Sequence, residues 1–239
     1  MIISFHKEAE MDKRQYKIAE NYMLSCMEDS AHDREHVYRV LNTALLIAHT
    51  EPGVDRNVLV YACLLHDIGR KEQFLDPKVC HAKVGGEKAF QFLLENGYDE
   101  GFAEKVRECI VSHRFRENHQ PKSLEAKILF DADKLDAAGA MGIARTLLYQ
   151  GHMGTPLYSL KPDGEVSDGT GDQINSFFQE YKYKLEKLYD RFYTSKGREL
   201  ARERQKTAIC FYEAMLQEVR QSHCSGRAIL EELLQQDHG

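Results

Sequence analysis

Residues 57–70 read NVLVYACLLHDIGR, and the end of this stretch is chemically at odds with its beginning. Val58, Leu59, Ala62, Cys63 and Leu65 make a helix expected over Asp55–Ile68 apolar nearly all round, which places it centrally in the fold, with Gly69 as its stop signal. His66 and Asp67 close that helix. A carboxylate carried inward by such a lead-in is costly to keep charged unless something offsets the lost hydration, and a divalent cation does so.

The same periodicity extends to both sides. Upstream, Val37, Val40, Leu41, Ala44, Leu45 and Ala48 fall at offsets 0, 3, 4, 7, 8 and 11, one face of an amphipathic helix that Glu51-Pro52-Gly53 ends. His36 stands at the edge of that face. Downstream, helices are expected over His81–Glu95 and Phe102–His113, with a polar loop to Lys122. Ser123 caps a further helix that runs into DADKLDAAGAMGIARTLL at 131–148. Residues 151–172 hold five glycines and two prolines, which reads as a surface loop. Two helices at about 173–194 and 197–220 follow, and then a short one at Arg227–Gln236. With 5 prolines in 239 residues and no convincing strand pattern, the expected class is all-α.

Composition narrows the function. Lys and Arg total 32 against 38 Asp and Glu, a net charge of −6, so the chain lacks the basic field that duplex nucleic acid would require. The longest apolar run, Val58–Leu65, has 8 residues, far short of the roughly 20 of a membrane span. The N-terminal MIISFHKEAEMDKR carries no export pattern, and a cytoplasmic location is expected. Cysteines 26, 63, 80, 109, 210 and 224 are scattered without a CxxC pair, which suits reduced thiols rather than a disulfide framework or a structural zinc site.

Histidines beside carboxylates on apolar helices form a mixed nitrogen and oxygen donor set suited to Mn, Mg, Fe, Co, Ni or Zn. Two His and two Asp leave coordination positions open, as a catalytic site needs. Asp131 and Asp133 compete for the last place, because side chains two apart on a helix diverge by about 200°. Arg70 follows the motif closely enough to hold a phosphate by paired hydrogen bonds. Arg114, Arg116, Lys134 and Arg204 are further candidates for that role, and His119 is a candidate anion contact. His32 reads as a solvated capping residue, and His49, His152, His223 and His238 as structural or surface.

His36, then His66-Asp67 in HDIGR, then Asp133 in DADKLD resemble the H…HD…D signature of the HD-domain metal-dependent phosphohydrolases. HVYRVLNTALLIA, CHAKVGGEKAFQFL, IVSHRF, DADKLDAAGAMGIAR and INSFFQEYKYKLEKLYDRFYTSKGRELARERQ are similar to a bacterial HDIG-type subgroup, so the likeness spans about residues 20 to 220. It implies an all-α HD helical bundle with additional C-terminal helices. Residues 1–221 would form a single domain, with metal-site helices at about 20–150, the loop at 151–172, packing helices at 173–221 and a tail at 222–239.

The resemblance implies metal on His36, His66, Asp67 and Asp133, with Asp133 favoured over Asp131. It also places His81 and His113 where dinuclear members hold a second metal, Asp67 then being the bridge. With one metal, the two histidines would instead serve proton transfer or substrate phosphate. The activity implied is hydrolysis of a phosphorylated small molecule, a nucleotide above all, with nucleoside triphosphate pyrophosphatase as one form. A di-iron oxygenase and a non-catalytic nucleotide sensor are the alternatives in other functional classes.

Overall fold

The computed structural model describes residues 11–27, 34–114 and 120–236, which divide into two compact units, Met1–Asp133 and Lys134–Gly239. His32, Arg116, His119 and His238 lie outside the described residues. Among those described there is no β-strand beyond one isolated bridge between Leu160 and Val166.

In the first unit, α1 (Lys13–Met27), α2 (Arg34–Ala48), α3 (Arg56–Leu65), α4 (Arg70–Leu75), α5 (His81–Glu95) and α6 (Glu100–Ser112) precede α7 (Leu124–Asp136), most of which also belongs here. The central helix is α3, as its all-round apolarity requires: Val58, Leu59 and every residue from Tyr61 to Leu65 are buried, and α1, α2, α5 and α6 pack against it. Asp55 caps it by accepting from the Val58 amide at 3.1 Å. Glu125 at the start of α7 accepts from the Asp55 amide at 2.8 Å, and Ser123 caps α7 through the Ala126 amide at 3.1 Å.

Three local departures from the sequence expectation matter. The helix expected to reach Ile68 ends at Leu65, and the chain makes a tight turn through His66–Gly69 before α4 begins. Gly69 has φ −95°, so it is not a left-handed stop signal. A Cβ there would lie 2.3 Å from the His81 carbonyl oxygen and 2.7 Å from the Gly85 amide nitrogen. Glycine is required by the close approach of α5, not by backbone conformation. On α2 the inward face takes Ile47 and leaves Leu45 exposed. Helix α1 carries its buried side on only Ala19, Met23 and Met27, too sparse a stripe to stand out in so polar a segment.

The second unit contains the end of α7, α8 (Gly139–His152), α9 (Phe177–Glu180) with a π turn at Tyr181–Leu185 and a 3-10 turn at Leu188–Asp190, and α10 (Ser195–Gln236). The single helix expected through 131–148 is broken because Gly139 adopts φ +66°, a region other residues rarely enter. Arg204 packs its stem against Gly139 and donates to the Leu135 carbonyl. The 151–172 loop is built rather than loose: Asp172 accepts from Ser159 and Ser167 at 2.5 and 2.7 Å, and Tyr212 donates to the Asp168 carbonyl at 2.6 Å. The helices expected at 197–220 and 227–236 are one continuous α10, because nothing between them forces a break. His223 within it donates to the Gly164 carbonyl at 2.8 Å.

Candidate metal centre

Four helices of the first unit deliver side chains to one buried point. His36 comes from the first turn of α2, His66 and Asp67 from the turn after α3, His81 from the first residue of α5, and His113 from the end of α6. All five are buried. Their ligand atoms form two groups, His36/His66/Asp67 and Asp67/His81/His113, and Asp67 is common to both.

The two oxygens of Asp67 divide the work. Oδ2 lies 3.6 Å from Nε2 of both His36 and His66, while Oδ1 lies 3.6 Å from His81 Nε2 and 3.7 Å from His113 Nε2. Asp133 on α7 brings Oδ1 to 3.4 Å from His36 Nε2, outside the two tight groups but on the side of the first. Asp131 is fully buried, two residues and about 200° around the same helix. Arg70 donates from Nε to Asp67 Oδ1 at 2.9 Å, whereas Glu72 pairs with Lys88.

Hydrogen bonds at the far side of the rings fix what the near side can do. His66 Nδ1 is 2.8 Å from the Cys63 carbonyl and His113 Nδ1 is 2.6 Å from the Ile110 carbonyl; a carbonyl only accepts, so each Nδ1 bears the proton. In the neutral ring each Nε2 is therefore an acceptor. Yet His36 and His66 Nε2 stand 3.3 Å apart, and His81 and His113 Nε2 3.2 Å apart. The inward nitrogens of His66 and His113 thus have an acceptor lone pair in the neutral ring, and the buried Asp67 Oδ2 lacks a hydrogen-bond partner among the described residues; a cation between the rings would satisfy these acceptors together.

Spacing agrees with that requirement. Donors about 2.1 Å from a cation stand about 3.4 Å apart in a tetrahedron and about 3.0 Å apart in an octahedron. The observed separations of 3.2–3.7 Å fall at or just beyond these edges. Charge states agree as well. Burial pushes the His66 imidazole down to about 4, and burial with the nearby Arg70 pushes His81 down to about 3, so both rings are neutral at neutral pH. Burial alone would raise the Asp67 carboxyl, but the surrounding imidazoles and Arg70 hold it well below the usual carboxylate range.

Of the sequence-predicted phosphate contacts, Arg70 and Arg114 lie at this centre. Both depress His81, and Arg114 donates to Cys80 Sγ at 3.9 Å. Lys134 and Arg204 belong to the second unit. Sequence reading did not find Gln73, whose Oε1 lies 2.6 Å from His81 Nδ1; a lone glutamine in a short polar helix carries no signal of that role.

Helices that focus four imidazoles and a shared carboxylate on one buried point define the class: an all-α protein with a His/Asp centre able to hold divalent cations. Residues 34–138 match the HD domain, and the chain belongs to the HD-domain family. Uncharacterized protein YpgQ of Bacillus subtilis is 33% identical over 199 residues, covering 81% of this chain and 84% of that one. The crystal structure of YpgQ in complex with ADP superposes with a TM-score of 0.66 at 27% identity, covering 86% of this chain and 95% of that one.

An HD-superfamily hydrolase of Bacillus thuringiensis gives a TM-score of 0.67 at 28% identity, covering 86% and 96% of the two chains. A predicted HD superfamily hydrolase of an uncultured Thermotogales bacterium gives 0.59 at 31%, covering 84% and 91%. The chain therefore has the HD-superfamily hydrolase fold. No helix among the described residues is long and apolar enough to cross a membrane.

Proposed function

We propose that this protein is a divalent-metal-dependent phosphohydrolase that cleaves a phosphoester or phosphoanhydride bond of a nucleotide, nucleoside triphosphate pyrophosphatase activity being one form of that reaction. The observation that carries the reading is the two-sided Asp67, whose oxygens each face a separate pair of imidazole nitrogens. His36, His66, Asp67 and Asp133 would hold one ion, and Asp67, His81 and His113 a second. Bound divalent cations lower the pKa of water and neutralise phosphate charge.

The chain's own residues supply orientation. Arg70 Nε locks Asp67 Oδ1, which fixes the carboxylate plane between the two histidine pairs. With Nε so used, recognition of phosphate by Arg70 falls to its two terminal nitrogens, and Arg114 adds a second cation on the same side. The neutral His66 and His81 rings bring no positive charge to compete with a bound cation. The ADP bound by YpgQ supports a nucleotide as the ligand.

Metal-stripped protein should be incubated with nucleoside mono-, di- and triphosphates and Mn, Mg, Co, Ni or Fe, with products separated by chromatography. Release of phosphate or pyrophosphate, absent in Asp67→Ala, is the expected result. Nucleotide binding without turnover under every metal would refute the hydrolase reading in favour of a sensor, and iron-dependent oxygen uptake would refute it in favour of an oxygenase.

A further inference from the structure

Three histidines of the centre have a recorded partner for Nδ1, and one of the three differs in kind. His66 and His113 follow the last turns of α3 and α6, where the carbonyl three residues back is within reach, so their tautomers are set by backbone that no substitution removes. His81 is the first residue of α5. It has no preceding helical turn to offer such a carbonyl, and its Nδ1 bonds instead to the side-chain oxygen of Gln73 at 2.6 Å, eight residues earlier on α4.

That exception has a chemical consequence. With the amide oxygen toward the ring, Nδ1 is protonated and the Nε2 lone pair faces Asp67 Oδ1 and His113. With the amide nitrogen toward it, the proton would move to Nε2, and the ring would point an N–H donor at the place a cation must occupy. The position of α4 relative to α5 is fixed independently: Lys88 on α5 bonds the Ile68 carbonyl at 3.0 Å and Glu72 at 2.9 Å.

We propose that Gln73 is a positioning residue that holds His81 in the Nδ1–H tautomer and so makes it a ligand of the second cation. This rests on the two-cation reading given above. A carboxylate at position 73 could only accept, and it would hold the same tautomer; an aliphatic side chain could not hold it at all.

The test uses metal-stripped full-length protein, its Gln73→Ala, Gln73→Leu and Gln73→Glu variants, and Mn²⁺ alone as probe, with calorimetric affinities and metal analysis. Nitrogen-15 spectra of the apo imidazoles report the His81 tautomer directly. Expected are two ions in the parent, a second-ion affinity weakened about 10- to 100-fold in Gln73→Ala and Gln73→Leu with the first ion unchanged, and recovery in Gln73→Glu. The Nδ1–H tautomer of His81 should persist in the parent and in Gln73→Glu but not in the other two. Two ions bound by Gln73→Ala with parental affinity would overturn this proposal alone, as would equal losses in all three variants. A parent that binds one ion or none would overturn the two-cation reading and this proposal with it.

Discussion

Gly69→Ala should weaken Mn²⁺ binding at the centre, the Asp67/His81/His113 side most of all. An alanine Cβ would stand 2.3 Å from the His81 carbonyl oxygen and 2.7 Å from the Gly85 amide nitrogen, both backbone atoms that cannot swing aside. An ordinary carbon-to-oxygen contact is about 3.3–3.6 Å, so the start of α5 must retreat by about 1 Å or the His66–Gly69 turn must yield by as much. Either movement widens the gap between Asp67 Oδ1 and His81 Nε2, now 3.6 Å. Metal sites tolerate ligand displacements of about 0.2 Å, several times less than this shift.

Backbone strain plays no part, because φ −95° and ψ 8° at Gly69 are open to alanine. Overpacking of this kind costs about 1–3 kcal/mol, and a misplacement of about 1 Å at a catalytic centre costs about a hundredfold in rate. Gly85→Ala is the internal control. Its Cβ would meet the Gly69 nitrogen at 3.3 Å and the His66 carbonyl oxygen at 3.4 Å, a few tenths of an ångström too close, while alanine within a helix gains about 1 kcal/mol over glycine. Urea midpoints and Mn²⁺ calorimetry on both variants decide the matter. A Gly69→Ala protein with parental stability and two parental Mn²⁺ affinities would show that the α5 contact is slack and does not position His81.

Asp67→Ala should abolish both cation sites and lower turnover by about a thousandfold or more, given the several kcal/mol that bound cations contribute to charge stabilisation; metal retained in that variant would show that the imidazoles suffice. Metal-stripped protein should lose stability as pH falls below about 6.5, since unfolded His66 takes up a proton there but the folded ring resists until about 4, a difference worth about 3 kcal/mol for this residue alone. His81 acts with the same sign, and Asp67, depressed below its ordinary value, adds its own loss only at more acid pH. A urea midpoint that is flat from pH 6.5 to 4 would refute both histidine assignments. Arg70→Lys keeps a positive charge but lacks the Nε donor to Asp67, and activity should fall about tenfold to a hundredfold, mostly in kcat if Asp67 orientation is its main task and mostly in KM if phosphate binding is. Unchanged kinetics in that variant would make Arg70 a plain counter-charge.

What the sequence reveals and what it hides follow from one distinction, between residues whose chemistry conflicts with their surroundings and residues whose role is contact. His66-Asp67 at the end of an apolar helix is such a conflict, and it is visible in one dimension because the lead-in itself forecasts burial. The periodicity around His36, Val37 and Val40 is equally plain. The role of Gly69 is hidden, because a glycine after an apolar run reads as a stop signal whether it terminates a helix or makes room for another one twelve residues on. Gly139 is hidden for the opposite reason: it sits in a run of small helix-forming residues, where only its φ of +66° reveals a break. Gln73 lies deepest, since nothing in RKEQFL distinguishes a solvated glutamine from one that fixes an imidazole proton. Candidate ligands can be read from residue types and order, but the groups that orient each imidazole are defined by proximity alone, and proximity is what the fold supplies.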